Sequence, residues 1–214
     1  PLDMDGHHIY IKDGGTVWNP GWQPTKTPLD RYSCRHGLGY TILEGEKDGI
    51  CAAQELFVPK GDACELDRLT LTNRSDRPRE LDVFSYVEFC LWDAVDDSTN
   101  FQRNFSTGEV EVEPCAIYHK TEYRERRDHY AVFWSNTPVT SFDTARDAFC
   151  GVYGGPADPQ AVRAGHCSGS IAHGWAPVGA LHIHVTLAPG EEKKILFGLG
   201  YICLLYTSDA ADDL

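Results

Sequence analysis

The sequence has 214 residues, of which 42% are hydrophobic and 24% are charged, and its formal net charge is −13. The acidic charge repels nucleic acid phosphates and anionic lipid, so we expect no nucleic acid and no membrane as partners. No apolar run approaches the roughly 20 residues that a membrane-spanning helix needs. A globular chain of this length can bury a sizeable core without disulfide or metal staples.

Strand-like segments recur along the chain, and helical patterning is nearly absent. Ten segments are predicted as strands: residues 8–12, 39–44, 50–58, 65–72, 80–91, 108–113, 116–122, 129–135, 180–187 and 193–199. Turn residues separate them, as at 73–78 and 188–191, and residues 158–163 are predicted to form one short helical turn. Many short strands with regular turns predict an all-β fold, an antiparallel β-sandwich or barrel.

The segment 86–113 begins as an apolar strand, crosses a polar stretch at 93–104 and ends in strict alternation of Val and Glu. Such a segment is typical of a functional loop on a rigid scaffold. Its acids, Asp93, Asp96 and Asp97, have two interpretations. They are either a carboxylate pair for acid–base glycoside chemistry or, more commonly, loop acids that cap turns and bind sugar hydroxyls.

Four histidines have the spacing to be considered as metal ligands. His182 and His184 alternate with apolar residues, so we expect both on the polar, solvent-facing side of a half-buried strand. A metal site there is the less favoured alternative, because no set of three or four ligands is evident. His7 and His8 are adjacent in a predicted strand and therefore point to opposite faces, which disfavours one shared ion.

Two further segments have alternative interpretations. The basic cluster at 123–128 has acids interleaved, and a charge-balanced strand end is favoured over a phosphate or sugar-phosphate clamp. The stretch 17–24, VWNPGWQP, holds Trp18 and Trp22 in a segment stiffened by Pro and Gly. Core packing and sugar stacking explain these two aromatic side chains equally well.

The eight cysteines lie mostly beside apolar residues, which is typical of small buried hydrophobic side chains. Disulfide pairing is the less favoured alternative in a chain of this size. We therefore expect free thiols and a reducing, cytoplasmic location.

Residues 203–214 differ in character from the rest of the chain. The stretch CLLYTSDAADD resembles the in-frame translation of a transposon-type sequencing adapter, and such segments are excluded from fold reasoning. The stretch also follows a complete strand pattern and ends in acids and alanines without a core face. We expect a domain at 1–202 and an extended or disordered, non-native tail at 203–214, in a chain that is an interior piece of a longer protein.

Seven stretches resemble, in order, the N-terminal region of the cellobiose phosphorylase family. They are VWNPGWQP, RHGLGYT (35–41), FVPKG (57–61), the segment 86–113, IYHKTEYRERRDHYAVF (117–133), FDTARDAF (142–149) and AHGWAP (172–177). Together they span nearly all of residues 7–201. The related chitobiose phosphorylases share this frame but diverge at 101–104, where this chain has the cellobiose-type form FQRN.

The resemblance implies an inverting glycoside phosphorylase. Inorganic phosphate attacks the anomeric carbon of a β-1,4-linked glucose disaccharide, and α-glucose 1-phosphate and glucose leave. Because phosphate is already anionic, a general acid suffices, and no metal or organic cofactor is implied. The general acid, an Asp, and the phosphate-binding residues belong to a downstream helical barrel, so no catalytic residue is expected in this chain and the fragment alone is expected to be inactive.

For the present region the resemblance implies a large β-sandwich of the super-sandwich type, incomplete at its N-terminus, that builds homodimer contacts. It also implies a loop that reaches the acceptor-sugar site of the neighbouring subunit. Arg103 would donate a hydrogen bond to the acceptor glucose with Gln102 beside it, and Asp96, Asp97 and Asn104 would shape the loop. The alternative is a stand-alone carbohydrate-binding β-sandwich without catalysis, which also accounts for the tryptophans.

Overall fold

The structure, a computed structural model, describes residues 6–89, 108–121, 129–172 and 176–203. Within these residues the chain forms thirteen strands and two short helices. The strands are β1 (His7–Asp13), β2 (Thr16–Trp18), β3 (Arg31–His36), β4 (Tyr40–Lys47), β5 (Ile50–Phe57), β6 (Cys64–Asn73), β7 (Arg79–Glu88), β8 (Gly108–Glu113), β9 (Ala116–Thr121), β10 (His129–Ser135), β11 (Ser141–Ala145), β12 (Pro177–Leu187) and β13 (Glu192–Cys203). The helices are α1 (Arg146–Cys150) and α2 (Gln160–Ala164). The predicted all-β fold is confirmed.

The strands form two antiparallel sheets. The small sheet has the order β11-β12-β7-β1-β2, and the large sheet has the order β3-β4-β5-β6-β13-β10-β9-β8. β7 pairs with β1 on one side and with β12 on the other, over registers of seven and ten residue pairs. In the large sheet, β13 lies between β6 and β10. Both sheets therefore depend on contacts between distant parts of the sequence, which make the sandwich one cooperative unit.

The main hydrophobic core lies between the two sheets. The period of two along β7 turns Leu81, Val83 and Val87 towards the large sheet, where they join a core that includes Phe133 of β10 and Phe197 of β13. Phe133 and Phe197 have no exposed surface. Burial of this apolar surface is the main driving force that holds the two sheets face to face.

A second hydrophobic core covers the other face of the small sheet. Tyr10, Phe84 and Tyr86 pack there against Phe149 of α1 and Val162 of α2. The rings of Tyr86 and Phe149 are stacked with their centroids 4.7 Å apart. The residues after β11 therefore act as a cover, and the small sheet is buried on both faces.

One buried carboxylate fastens this cover. Asp143 of β11 has no exposed surface, and its Oδ1 accepts hydrogen bonds from the hydroxyls of Ser168 and Ser170 at 2.6 and 2.7 Å. The backbone N–H groups of the same two serines donate to Asp143 over 3.1 and 3.0 Å. Charge-assisted bonds of this kind are about twice as strong as neutral ones. They fix residues 168–170 against the edge of the small sheet.

The ten predicted strands are confirmed, with ends shifted by a few residues, as far as the structure describes them. The predicted helical turn at 158–163 corresponds to α2. β2, β3, β11 and α1 were not predicted. β3 is an edge strand in which five of six residues are exposed, so its sequence, RYSCRH, lacks the alternation that marks a half-buried strand.

The prediction that both histidines of β12 face solvent is wrong for His182. The two share one face of the strand as predicted, but His182 is only 3% exposed because the cover lies over it. Its ring stacks on Phe84 with centroids 4.5 Å apart. Asp82 Oδ1 lies 3.0 Å from Nε2 of His182 and 2.9 Å from Nδ1 of His184, whose side chain is 46% exposed.

His7 and His8 point to opposite faces of β1, as predicted. His7 lies in the interior, with Nε2 2.7 Å from the hydroxyl of Ser85 and its ring edge-on to Phe133. His8 lies on the other face and stacks parallel to Tyr86 with centroids 6.3 Å apart. A single metal ion therefore cannot contact both imidazole rings.

The first two tryptophans have different environments. Trp18 is fully buried in the main core, whereas Trp22 is 43% exposed. The core interpretation therefore holds for Trp18, and Trp22 remains accessible at the surface.

Six cysteines, those whose side chains the structure describes, are free thiols. Cys51, Cys150 and Cys167 are buried as predicted, and burial raises the pKa of the Cys150 thiol to about 11. Cys34, in contrast, is exposed. Cys203 ends β13 and residues 204–214 lie outside the described residues, so the predicted boundary between a domain at 1–202 and a tail at 203–214 stays a prediction.

Candidate functional site

The residues predicted to bind and shape an acceptor-sugar site lie outside the described residues: Asp96, Asp97, Gln102, Arg103 and Asn104. The same holds for Asp93 and for the whole basic cluster at 123–128. Glu88 at the end of β7 and Phe89 after it are the last described residues before this segment. They mark the point of the sandwich from which the predicted loop departs.

A cleft of about 520 Å³ opens at this point. Glu65 near the start of β6, Glu88, Phe89 and Tyr201 of β13 contribute to its walls. Its volume falls within the range of small-molecule sites, about 300–1,000 Å³. Carboxylates accept hydrogen bonds from hydroxyl groups and aromatic rings cover apolar faces, so this set of side chains is suited to a sugar ring.

Glu88 is held rigidly at the floor of the cleft. The hydroxyl of Tyr86 donates to its Oε1 over 2.7 Å, and Nε of Arg146 donates to the same oxygen over 3.1 Å. The Glu88 side chain is only 9% exposed. Burial of the guanidinium favours its neutral form, but Glu88, Cys150 and Tyr86 together outweigh this effect and raise the pKa of Arg146. Arg146 thus stays charged and joins α1 to the carboxyl end of β7.

Glu65 is connected to a polar network inside the sandwich. Its Oε1 lies 3.4 Å from Nδ1 of His7, and this hydrogen bond lowers the pKa of the Glu65 carboxyl. Asp67 Oδ2 lies 3.7 Å from the same nitrogen and accepts a hydrogen bond from Gln54 over 2.7 Å. Because Asp67 has no exposed surface, burial raises its pKa to about 6. One imidazole therefore faces two carboxyl groups, of which only Glu65 reaches the cleft.

Three residues of the cleft were not predicted from the sequence: Glu65, Glu88 and Tyr201. Glu88 had a recognisable signal, since it is a single acid within an otherwise apolar run, FSYVEFCLW. Glu65 and Tyr201 had none, because each is one polar residue at a strand end. Glu65 and Tyr201 lie close together because β6 pairs with β13.

A metal site and a membrane-spanning helix are both absent from the described residues. No group of three His, Cys, Asp or Glu side chains there has the arrangement of a metal site. No helix in that part of the chain is long and apolar enough to cross a membrane.

The family profile described as glycosyl hydrolase 94, supersandwich domain, matches residues 1–213. The chain belongs to this family. The two sheets are therefore those of a glycosyl hydrolase 94 supersandwich domain, and the resemblance to a phosphorylase N-terminal region is confirmed at the level of the family.

Several curated relatives of the chain are named as phosphorylases. The chain is 35% identical over 206 residues to an N,N'-diacetylchitobiose phosphorylase of Vibrio proteolyticus, covering 93% of this chain and 26% of that protein. It is 39% identical over 187 residues to a solabiose phosphorylase of Paenibacillus borealis, covering 86% of this chain and 24% of that protein. The chain thus spans about a quarter of the length of these relatives.

A solved structure shows the same fold at low sequence identity. A bacterial glucoamylase complexed with acarbose matches with a TM-score of 0.60 and 10% identity, over 98% of this chain and 28% of that chain. At this identity the match concerns the fold alone.

Proposed function

We propose that this chain is the N-terminal sandwich of an inverting glycoside phosphorylase that acts on a β-linked glucose disaccharide of the cellobiose type. The observation that carries the proposal is the identity of 35% and 39% to two disaccharide phosphorylases, over 93% and 86% of the chain. Those two relatives are named for different disaccharides. The cellobiose-type assignment therefore rests on the FQRN form at 101–104.

In this proposal the reaction is phosphorolysis. Inorganic phosphate attacks the anomeric carbon, a general acid protonates the leaving oxygen, and the configuration inverts to give α-glucose 1-phosphate and glucose. Phosphate is the co-substrate, and no metal or organic cofactor takes part. The general acid and the phosphate site belong to the remainder of the enzyme, so this chain alone is inactive.

The sandwich contributes to the acceptor-sugar subsite and to a homodimer of a cytoplasmic enzyme. Arg103 donates to the acceptor glucose, Gln102 lies beside it, and the neighbouring Asp96, Asp97 and Asn104 shape the loop. The fixed position of Glu88 supports this role, because a loop that departs from a rigid strand end has a defined direction.

The test uses the intact gene that contains this segment. The purified enzyme is incubated with phosphate and, in parallel, with cellobiose, N,N'-diacetylchitobiose and solabiose, and release of the corresponding sugar 1-phosphate is measured against a phosphate-free control. We expect the fastest release from cellobiose. Release from another of these disaccharides alone would replace the cellobiose assignment, and no release from any of them would contradict the phosphorylase proposal.

The cleft supports a second candidate, a stand-alone sugar-binding sandwich. Glu65 and Tyr201 give it the carboxylate and the aromatic ring that a sugar site uses. This candidate predicts that the present chain binds cellobiose measurably in a calorimetric titration and that Tyr201→Ala abolishes the binding. The phosphorylase proposal expects no measurable binding by this chain, because most of the subsite is contributed from outside it.

A further inference from the structure

Cys34 differs from the other described cysteines because it is exposed and has a histidine beside it. Its Sγ lies 3.2 Å from Nε2 of His36, and Nδ1 of the same ring lies 3.0 Å from Oγ1 of Thr41. Cys34 and His36 are two apart on β3, and Thr41 is the register partner of His36 on β4. All three side chains therefore lie on one face of the β3–β4 hairpin.

The thiol of Cys34, the imidazole of His36 and the hydroxyl of Thr41 are arranged as around an activated nucleophile. With Nδ1 donating its proton to the Thr41 hydroxyl, Nε2 presents its lone pair to the thiol. A nucleophile, a base within hydrogen-bond distance and a third group that orients the base form the usual arrangement of nucleophilic catalysis. The imidazole is thus placed to take the thiol proton and to balance the charge of the thiolate.

A cavity lies on the same side of the hairpin, beside the neighbouring residue Tyr32. Tyr32 lies two residues before Cys34 on the same face of β3, and its side chain lines a cavity of about 510 Å³ together with Trp22 and Leu29. Tyr32 and Trp22 are 50% and 43% exposed, so the cavity is open to solvent. Small molecules therefore have access to the surface beside Cys34.

The five other cysteines whose side chains the structure describes lack this combination. Cys51, Cys150 and Cys167 are buried, and burial raises the pKa of each thiol, which disfavours the reactive thiolate. Cys64 and Cys115 are half-buried. Exposure and an adjacent imidazole thus distinguish Cys34.

We propose that Cys34 is a reactive thiol that exchanges with the disulfides of low-molecular-weight thiols, with His36 as the proton acceptor. The thiolate attacks one sulfur of the disulfide, a bond forms between Cys34 Sγ and that sulfur, and the original S–S bond breaks. The second half leaves as a thiolate and takes the proton held by His36. Cys34 is oxidised to a mixed disulfide on β3, and one equivalent of the small thiol is released in its reduced form.

The test uses the native chain and 5,5'-dithiobis(2-nitrobenzoic acid), an aromatic disulfide whose released half absorbs visible light. The release rate is recorded in stopped flow, and the modified cysteine is identified by peptide mass spectrometry. We expect one fast equivalent, located at Cys34 and absent from Cys34→Ser. His36→Gln should slow this phase by at least about tenfold, since it removes the positioned base.

The matched control is His166→Gln, which removes an exposed imidazole elsewhere and should leave the rate unchanged. Circular dichroism checks that each variant is folded. If His36→Gln disturbs the hairpin, Thr41→Val tests the same geometry, because it keeps the imidazole and removes its orienting acceptor; a slower fast phase is expected. A fast phase located at any other cysteine, or an unchanged rate in a folded His36→Gln or Thr41→Val variant, would overturn the proposal.

Discussion

Nε of Arg146 donates a hydrogen bond to Oε1 of Glu88 over 3.1 Å, and this contact joins α1 to the carboxyl end of β7. The pair links the cover of the small sheet to the strand that enters the predicted loop. Both side chains are largely shielded from water, at 20% and 9% exposure. Loss of Arg146 therefore removes a charged donor from a shielded carboxylate, which costs more than the loss of an exposed ion pair.

We predict that Arg146→Met lowers the free energy of unfolding by about 2–3 kcal/mol, because the Glu88 carboxylate stays shielded and loses a charged donor. Urea denaturation followed by tryptophan fluorescence measures this change. The control is Arg163→Met, which removes an exposed ion pair with Asp158 at 3.4 Å. Exposed pairs contribute about 0–1 kcal/mol, so equal losses in the two variants would contradict the role of Glu88.

A second prediction concerns the pH dependence of stability and Asp67. Burial raises its folded pKa to about 6, above the value of 3.8 expected when unfolded. The folded state therefore binds the proton more tightly, and this contribution to stability is lost as pH rises through that interval. The Asp67→Asn variant has an amide at this position, which does not ionise. Its stability relative to the native chain should rise by about 2 kcal/mol between about pH 4 and about pH 8.

The pH series is measured by urea denaturation at each pH. The control is Asp62→Asn, the same change at an exposed site. A constant difference between Asp67→Asn and the native chain across the series would show that Asp67 does not titrate with a raised pKa.

A third prediction tests the fastening of the cover. Asp143→Ala removes the acceptor of four hydrogen bonds from Ser168 and Ser170 and leaves those donors unpaired. We expect faster proteolytic cleavage within 165–172 and a loss of about 2–4 kcal/mol in the free energy of unfolding. The exposed Asp147 provides the control, since Asp147→Ala should leave the cleavage rate unchanged. Cleavage at the native rate in Asp143→Ala would contradict this role.

The fourth prediction concerns the intact enzyme. Arg103→Ala should raise the KM for glucose in the synthetic direction by about 10–100-fold, which corresponds to the loss of one charged hydrogen bond. The KM for glucose 1-phosphate should change little. Arg77→Ala, at an exposed turn residue, is the control. Unchanged acceptor kinetics in Arg103→Ala would remove Arg103 from the site.

The sequence by itself determined the all-β class and the positions of ten strands. Alternation of apolar and polar side chains is a local signal, and it is strong where one face of a strand is buried, as in residues 180–187. The same signal fails for β3, which is exposed on both faces, and for β11, which is only five residues long. The opposite orientations of His7 and His8 also followed from the period of two alone.

The tertiary structure decided which residues meet. Glu65 and Glu88 share a cleft because β6 and β7 lie in different sheets that face each other, and His182 is buried because residues 141–172 fold back over the small sheet. Cys34 and His36 gain Thr41 from the neighbouring strand of their hairpin. Local periodicity gives the face on which a side chain lies, whereas its partner depends on strand order and register, and these are set by packing between segments distant in the sequence.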